Sequence, residues 1–280
     1  MLASKNNPSQ RPVALITGAS SGIGAEFARA LAAGGHDLVL VARRRERLEE
    51  LAGQLHRDHA VEAKVEVADL ACEEGIESVA GQIASEDRLE LLVNNAGFGV
   101  LGNFAEAGLE AQARMHRLHV LAAMRLTHAA LPGLLARNRG GVINVSSVAA
   151  FLRMPGNVSY NSTKAWMNAF SESLALELES VGSRVRVQAL CPGFTYSEFH
   201  DVAGLDRRQI MPRPKWWLTA EFVVAESLKG LARGRWLVIP GWRYRFLVFF
   251  LKTLPGFLLR RAAMSLGRQR ARSARSARSG

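Results

Sequence analysis

Short apolar runs alternate along the chain with longer stretches in which apolar residues recur every three or four positions. The runs cover residues 13–16, 38–41, 61–67, 89–93, 141–145, 185–190 and 236–239. They read as continuously apolar rather than alternating, which predicts strands of a parallel sheet covered on both faces. Residues 25–33, 44–55, 109–136 and 165–180 carry the helical period. Repeated strand–helix units predict an α/β fold, a single doubly wound parallel sheet of about seven strands with helices on both faces and right-handed crossovers. No internal repeat and no Pro- or Ser-rich linker interrupts this pattern before about residue 266. One domain is therefore expected over residues 12–241, after a flexible N-terminus of residues 1–11. Residues 242–265 form a basic, aromatic and amphipathic helical extension, which Pro255 should break into two short helices. Residues 266–280 end in Ala-Arg-Ser three times over, a low-complexity tail expected to be disordered.

Composition narrows the class. With 280 residues, 48% hydrophobic and 22% charged, the chain can bury a sizeable core and is neither collagen-like, coiled-coil nor wholly disordered. No window reaches about 18 uninterrupted apolar residues, so a spanning helix is not expected. The N-terminal residues 1–12 hold no apolar stretch suited to a secretory signal. Cys72 and Cys191 lie far apart and in no metal-ligand spacing. They predict a reduced, cytoplasmic protein with neither a disulfide framework nor a bound metal.

The net charge of +11 changes meaning once it is located. Residues 233–280 hold twelve Lys or Arg and no Asp or Glu, leaving 24 basic against 25 acidic residues over positions 1–232. The body is nearly neutral, which argues against specific nucleic-acid binding.

Candidate chemistry begins where the first strand runs into Thr17-Gly18-Ala19-Ser20-Ser21-Gly22-Ile23-Gly24. Three glycines at a strand–helix junction permit a tight turn and close backbone approach to a pyrophosphate, which the following helix N-terminus would attract. A glycine-rich turn alone is no more than a turn; the strand before it and the helix after it favour a dinucleotide site. The second strand ends in Ala42-Arg43-Arg44-Arg45, with no carboxylate before Glu46 to meet ribose hydroxyls. Guanidiniums there suit a 2′-phosphate, so NADP(H) is expected, with Arg43 the main contact and Arg44 a second. The competing reading is a solvated basic helix start, although cations at that end oppose the helix dipole.

Tyr160 and Lys164 stand at i and i+4 near the opening of a helix, on one face. An adjacent ammonium would pull the phenol from its usual value of about 10 toward the working range. Thirteen residues upstream of Tyr160, the fifth strand ends in Asn144-Val145-Ser146-Ser147, which puts a hydroxyl at the carboxyl edge of the sheet.

In this order, the Gly18/Gly22/Gly24 loop, Asp69-Leu70, Asn94-Asn95-Ala96-Gly97, Ser147, Tyr160 with Lys164, and Pro192-Gly193 resemble the short-chain dehydrogenase/reductase family over about residues 12–240. The resemblance implies a Rossmann-type sheet with a nicotinamide cofactor across its carboxyl edge. It implies Tyr160 as acid/base, Lys164 lowering its pKa and holding the nicotinamide ribose, and Ser147 bonding the substrate carbonyl. Ser20, Ser21 and Ile23 would join the glycines in the cofactor loop, Asp69 and Leu70 would lie by the adenine, and Asn95, Ala96 and Gly97 would line the cofactor. Pro192, Gly193 and Thr195 would approach the carboxamide. One position departs from the pattern: His119 stands where the family usually has an Asn that helps hold a proton-relay water. His119 either keeps a modified relay or fills a tolerant helix position.

The implied activity is NADPH-dependent reduction of a carbonyl to an alcohol; the alternative is an NADP(H)-binding sensor or scaffold. In the family, the substrate loop follows Pro192-Gly193. Here Phe194, Tyr196, Phe199, Ile210, Met211, Trp216 and Trp217, with Phe98, Phe151, Leu152 and Met154, either line an apolar pocket for a lipophilic ketone, aldehyde or 3-oxoacyl compound or pack the loop onto the body. A homodimer or homotetramer through the fourth and fifth helices is implied. Three readings of the basic extension stand together: peripheral membrane contact, a cover over the substrate cleft, and an oligomer contact.

Overall fold

The computed structural model describes residues 11–100, 102–199, 214–261, 263–265 and 268. Seven parallel strands form one sheet in the order β3-β2-β1-β4-β5-β6-β7. They are β1 (Val13–Thr17), β2 (Asp37–Ala42), β3 (Ala63–Val67), β4 (Leu89–Asn94), β5 (Gly141–Val145), β6 (Arg186–Leu190) and β7 (Leu237–Val238). The crossovers are α1 (Gly22–Ala33), α2 (Arg45–His59), α3 (Glu73–Ser85), α4 (Leu109–His116), α5 (Ala123–Arg137), α6 (Val158–Ser180) and α7 (Ala220–Ala232), and α8 (Trp242–Thr253) follows β7. Strand order reverses between β1 and β4, the place where the carboxyl ends of such a sheet open a ligand crevice.

Strands β1, β2 and β5 are buried along their whole length, as continuous apolar runs require. Strand β3 departs from that pattern. Its sequence Ala-Lys-Val-Glu-Val is only partly covered because it is the sheet edge, where one side has no neighbour to exclude water. Two apolar layers sandwich the sheet. One holds Phe27, Leu31, Leu48 and Leu55 from α1 and α2; the other holds Ile76, Val79, Leu126 and Leu178 from α3, α5 and α6.

The helical run from Leu109 to Arg137 has length and mean hydropathy (1.2) enough to cross a bilayer, which the uninterrupted-run criterion did not flag. Its inner face packs into the fold, with Met115, His119, Leu126 and Leu134 fully enclosed. A π-helical turn over Arg117–Ala122 separates α4 from α5 and carries His119. Such single turns often mark functional positions.

Helix α8 is joined to the body through Tyr244, which is 2% exposed. Its hydroxyl accepts from the Phe194 amide (2.9 Å) and donates to the Trp216 carbonyl (2.6 Å). The Tyr244 ring fills the space where a Cβ on Gly193 would stand. The helix ends before Pro255, and residues 256–261 are again helical, as the proline predicts. Tyr244→Ala should therefore cost about 3–5 kcal/mol, and Tyr244→Phe, which strands two hydrogen-bond partners, about 1–3 kcal/mol. Thermal unfolding tests this; equal melting of wild type and Tyr244→Ala would show that α8 adds nothing to the body.

Candidate active site and dinucleotide crevice

The crevice is organised by a polar knot between the ends of β1 and β4. Thr17 Oγ1 accepts from the amides of Asn95 (2.9 Å) and Ala96 (3.0 Å) and donates to the Val93 carbonyl (3.3 Å). Asn95 Nδ2 donates to the carbonyls of Thr17 (2.9 Å) and Gly18 (3.3 Å). The turn after β1 is held so close that only glycine fits. Gly18 has φ +67°, and a Cβ there would lie 2.8 Å from Asn95 Nδ2; a Cβ at Gly24 would overlap the Gly18 carbonyl. Ser21 caps α1 without a side-chain hydrogen bond, and the first turn of that helix has no acidic residue. Its leading amides are thus left to an anion.

Arg44 crosses this loop. Its guanidinium donates to Ser20 Oγ (2.9 Å) and Ser21 Oγ (3.0 Å), and to Glu198 Oε2 at 2.8 Å. Arg47 holds the other oxygen of Glu198. Two guanidiniums hold the Glu198 carboxyl below its ordinary value, Arg44 by the largest contribution. Arg43 is exposed beside Asp69, whereas Arg45 turns away to Glu49. Of the two arginines expected at the phosphate, Arg44 is the one hydrogen-bonded into the loop, and Arg43 stands exposed at its side. Asp69 receives Arg114 at 2.7 Å and the Ala71 amide at 3.0 Å. Partial burial pushes its carboxyl up, but these bonds and Arg43 outweigh that and hold it low. Leu70 is buried beneath. Donors at a helix N-terminus, two adjacent arginines and a glycine turn fit the diphosphate and phosphate groups of a dinucleotide.

On the other side of the reversal, β5 delivers Ser147 and α6 delivers Tyr160 and Lys164. Ser147 stands beside Tyr160, near enough to pull its phenol pKa down, and Ser147 Oγ accepts from the Ala149 amide at 3.1 Å. Lys164, 4% exposed, donates to the Val145 carbonyl at 2.8 Å, and its Nζ lies 5.8 Å from the Tyr160 ring centre. Ser146 is occupied elsewhere, donating to the Lys164 carbonyl. Burial pulls Lys164 down to about 8 and pushes Tyr160 up to about 12, against a lowering contribution from Ser147. Burial is the largest cause at both groups, so enclosure outweighs the pull expected from Lys164, whose ammonium also donates to the Val145 carbonyl.

His119 is fully buried and its ring stands edge-on to Tyr160, 5.9 Å between centres. Nε2 accepts from the Phe98 amide (3.3 Å), so Nδ1 carries the proton and donates to Thr163 Oγ1 (3.0 Å). Thr163 in turn donates to the Tyr160 carbonyl (2.9 Å). Burial, followed by the charges of Lys164 and His116, holds His119 well below its usual value and therefore neutral. Both ring nitrogens are committed, so the ring ties the loop after β4 to α6. Gly97 has no room for a side chain against it, since a Cβ would meet Nε2 at 2.8 Å.

The loop after β6 closes the third side. The Val148 amide donates to the Pro192 carbonyl, and Thr195, 3% exposed, pairs with Leu218 in an isolated bridge. Phe199 lies 5.9 Å from Tyr160, and Tyr196 stacks on Trp217 at 5.1 Å. Ile210 and Met211 lie outside the described residues. Three residues outside the motifs shape the site: Arg114 by its hydrogen bond to Asp69, Glu198 by occupying Arg44, and Tyr244 by bracing Gly193. Thr17, which opens the glycine motif, supplies the hydrogen bonds of the knot.

Gly24→Ala should force the turn open and weaken dinucleotide binding at least about tenfold, because backbone rather than a flexible side chain opposes the new methyl. Titration of nucleotide fluorescence tests this; unchanged affinity would contradict the close approach.

A short chain dehydrogenase family model matches residues 12–207. Two solved structures superpose on most of the chain. A short-chain dehydrogenase from Sphingobium yanoikuyae in complex with NADPH is 33% identical, with TM-score 0.77 over 94% of this chain and 95% of that one. The bulky-bulky ketone specific alcohol dehydrogenase from Comamonas testosteroni is 30% identical, with TM-score 0.74 over 88% and 96%. A short chain dehydrogenase of Pseudocercospora fijiensis is 35% identical over 192 residues, 68% of this chain and 61% of the relative. A very-long-chain 3-oxoacyl-CoA reductase of Anas platyrhynchos is 29% identical over 196 residues, 68% of this chain and 62% of the relative. The chain thus spans about three fifths of the length of these two relatives. With the family model matched over most of its length and the sheet order to accompany it, this chain belongs to the short-chain dehydrogenase/reductase family of oxidoreductases.

Proposed function

We propose that this protein reduces a lipophilic ketone, aldehyde or 3-oxoacyl compound to the alcohol with NADPH. The observation that carries the reading is the buried Tyr160 beside Ser147, with Lys164 donating to the Val145 carbonyl behind it, at the carboxyl edge where strand order reverses. The NADPH complex of the Sphingobium relative and the ketone and 3-oxoacyl names of other relatives support it.

Bound NADPH supplies the hydride that the carbonyl carbon receives. The protein's own residues do the rest. The α1 N-terminus would hold the diphosphate and Arg44 the 2′-phosphate, with Arg43 as a second cation, and Asp69 and Leu70 would flank the adenine. Asn95, Ala96 and Gly97 would wall the cofactor, and Thr195 would face its carboxamide. Ser147 and Tyr160 donate hydrogen bonds to the carbonyl oxygen as negative charge grows there. Tyr160 then gives up its proton, and the Lys164 charge stabilises the phenolate that remains. His119 positions Tyr160 through Thr163 instead of relaying the proton. The aromatic loop after β6 excludes water and favours an apolar substrate.

Two further parts of the proposal concern surroundings. Exposed Leu121 and Met124 near the start of α5, and Leu176 on α6, support a homodimer or homotetramer through these helices. Free Cys72 and Cys191 fit a cytoplasmic setting, and the C-terminal extension adds a peripheral contact with a membrane surface.

Tyr160→Phe should lower turnover by at least about a hundredfold while leaving NADPH affinity near wild type, since it removes the acid alone; retained turnover would overturn the assignment. Arg44→Ala should raise the KM for NADPH about ten- to a hundredfold and leave that for NADH little changed. Tyr160 is protonated throughout the neutral range, so the pH limit falls on Lys164. Its folded value is lowered to about 8, so the charged form is complete below that pH and lost above it. Reductive turnover should be level at lower pH and decline through pH 8, and Lys164→Arg should move the decline upward. A decline unaffected by that substitution would place the titration elsewhere.

A further inference from the structure

One face of α8 is open and carries four of the exposed aromatic residues among the described part of the chain. Trp242, Phe246 and Phe249 are about 60% exposed and Phe250 is 47% exposed. They recur at i, i+4, i+7 and i+8, one stripe on the helix. Phe250 touches both Phe246 and Phe249, at 5.6 and 5.8 Å between ring centres. The opposite face is spent on the body, where Tyr244 and Val248 are buried. Cations border the stripe on both sides: Arg243 along one edge, Arg245 and Lys252 along the other. Beyond Pro255 the same composition continues, with Phe257 and Leu258 exposed next to Arg260 and Arg261.

Arg245 also belongs to a second feature. It lines a cleft of about 350 Å³ between α7 and β7, together with Lys229, Arg233, Arg235 and Glu226. Four cations and one carboxylate thus line the cleft, the carboxylate 4.0 Å from Arg245. The cleft adjoins the edge of the stripe that carries Phe249, four residues from Arg245.

We propose that this face docks on an anionic lipid bilayer, with the aromatic stripe at headgroup depth and the cationic cleft receiving lipid phosphates. The inference deepens the peripheral membrane contact proposed above and does not depend on the reductase chemistry. Aromatic rings flanked by cations are the composition that lies in the interface of a negatively charged membrane. Charge selects the occupant. The last 48 residues hold twelve cations and no acid, so a second copy seated on this face by a two-fold axis would bring Arg243 and Arg245 against their own kind. A bilayer bearing phosphates neutralises them instead. The same helix braces Gly193 through Tyr244, so the membrane face backs directly onto the loop that follows β6.

The test is sedimentation of the full-length protein with vesicles of phosphatidylcholine, with and without phosphatidylglycerol. Wild type should partition at least about tenfold more onto the anionic vesicles and be released by salt. Phe246→Ser with Phe249→Ser leaves every charge and the basic tail in place, yet should lose about tenfold of that binding; Arg233→Ala with Arg235→Ala should lose it by a similar factor. NADPH affinity equal to wild type confirms that both variants are folded. Absence of wild-type binding to anionic vesicles, or equal binding by the serine variant, would overturn the proposal. So would light scattering that shows the serine variant breaking a dimer while vesicle binding persists. Unchanged binding by the arginine variant would remove the cleft from the site. Carbonyl reduction measured in the same preparations keeps a failure here separate from a failure of the reductase reading.

Discussion

The site depends on the way two polar strand ends are satisfied at the reversal between β1 and β4. Helices leave these strands toward opposite faces, so the backbone groups at their carboxyl ends lose the neighbours that a continuing sheet would provide. Thr17 and Asn95 supply the missing partners, and by doing so they draw the two loops into contact. That closeness is why Gly18 and Gly24 tolerate no Cβ. It also fixes where α1 begins, and hence where its N-terminal amides face the crevice. From the same knot the chain continues to Gly97 and Phe98, whose contacts with His119 carry the constraint across to α6.

Burial then determines protonation. Lys164 and His119 are enclosed where charge is poorly solvated, so His119 is neutral and Lys164 gives up its proton near pH 8. The same enclosure raises Tyr160 and keeps its proton in place for donation. On the proposed reading, the group that delivers the proton to the carbonyl oxygen already holds it. The carbonyl of Val145 compensates Lys164 for lost water, which lets a cation persist at the end of a buried strand.

Much of this arrangement was legible in the chain because it rests on local chemistry. The glycine turn, the strand ending in Ser147 and the Tyr160/Lys164 pair each declare themselves within a few residues, and the uninterrupted apolar runs foretell a sheet covered on both sides. What the sequence did not disclose depends on partners far along the chain. Glu198 meets Arg44 across more than a hundred and fifty positions, and Tyr244 reaches the Phe194 amide from a helix that reads as an appendage. The exposed side of β3 reflects its place at the edge, which only the strand order decides. Spacing on a helix shows that an ammonium stands near Tyr160 but not that the Val145 carbonyl also holds it, nor how deeply both groups are buried.

The central claim is that a carbonyl carbon receives a hydride at this site while Tyr160 supplies the proton. It is tested most directly by incubating the protein with NADPH deuterated at the transferable C4 position and a panel of bulky ketones, aldehydes and 3-oxoacyl thioesters, then analysing the products by mass spectrometry. The account predicts an alcohol with one deuterium on the carbinol carbon, formed by wild type and not by Tyr160→Phe. Tight binding of the cofactor with no labelled alcohol from any member of the panel would contradict it.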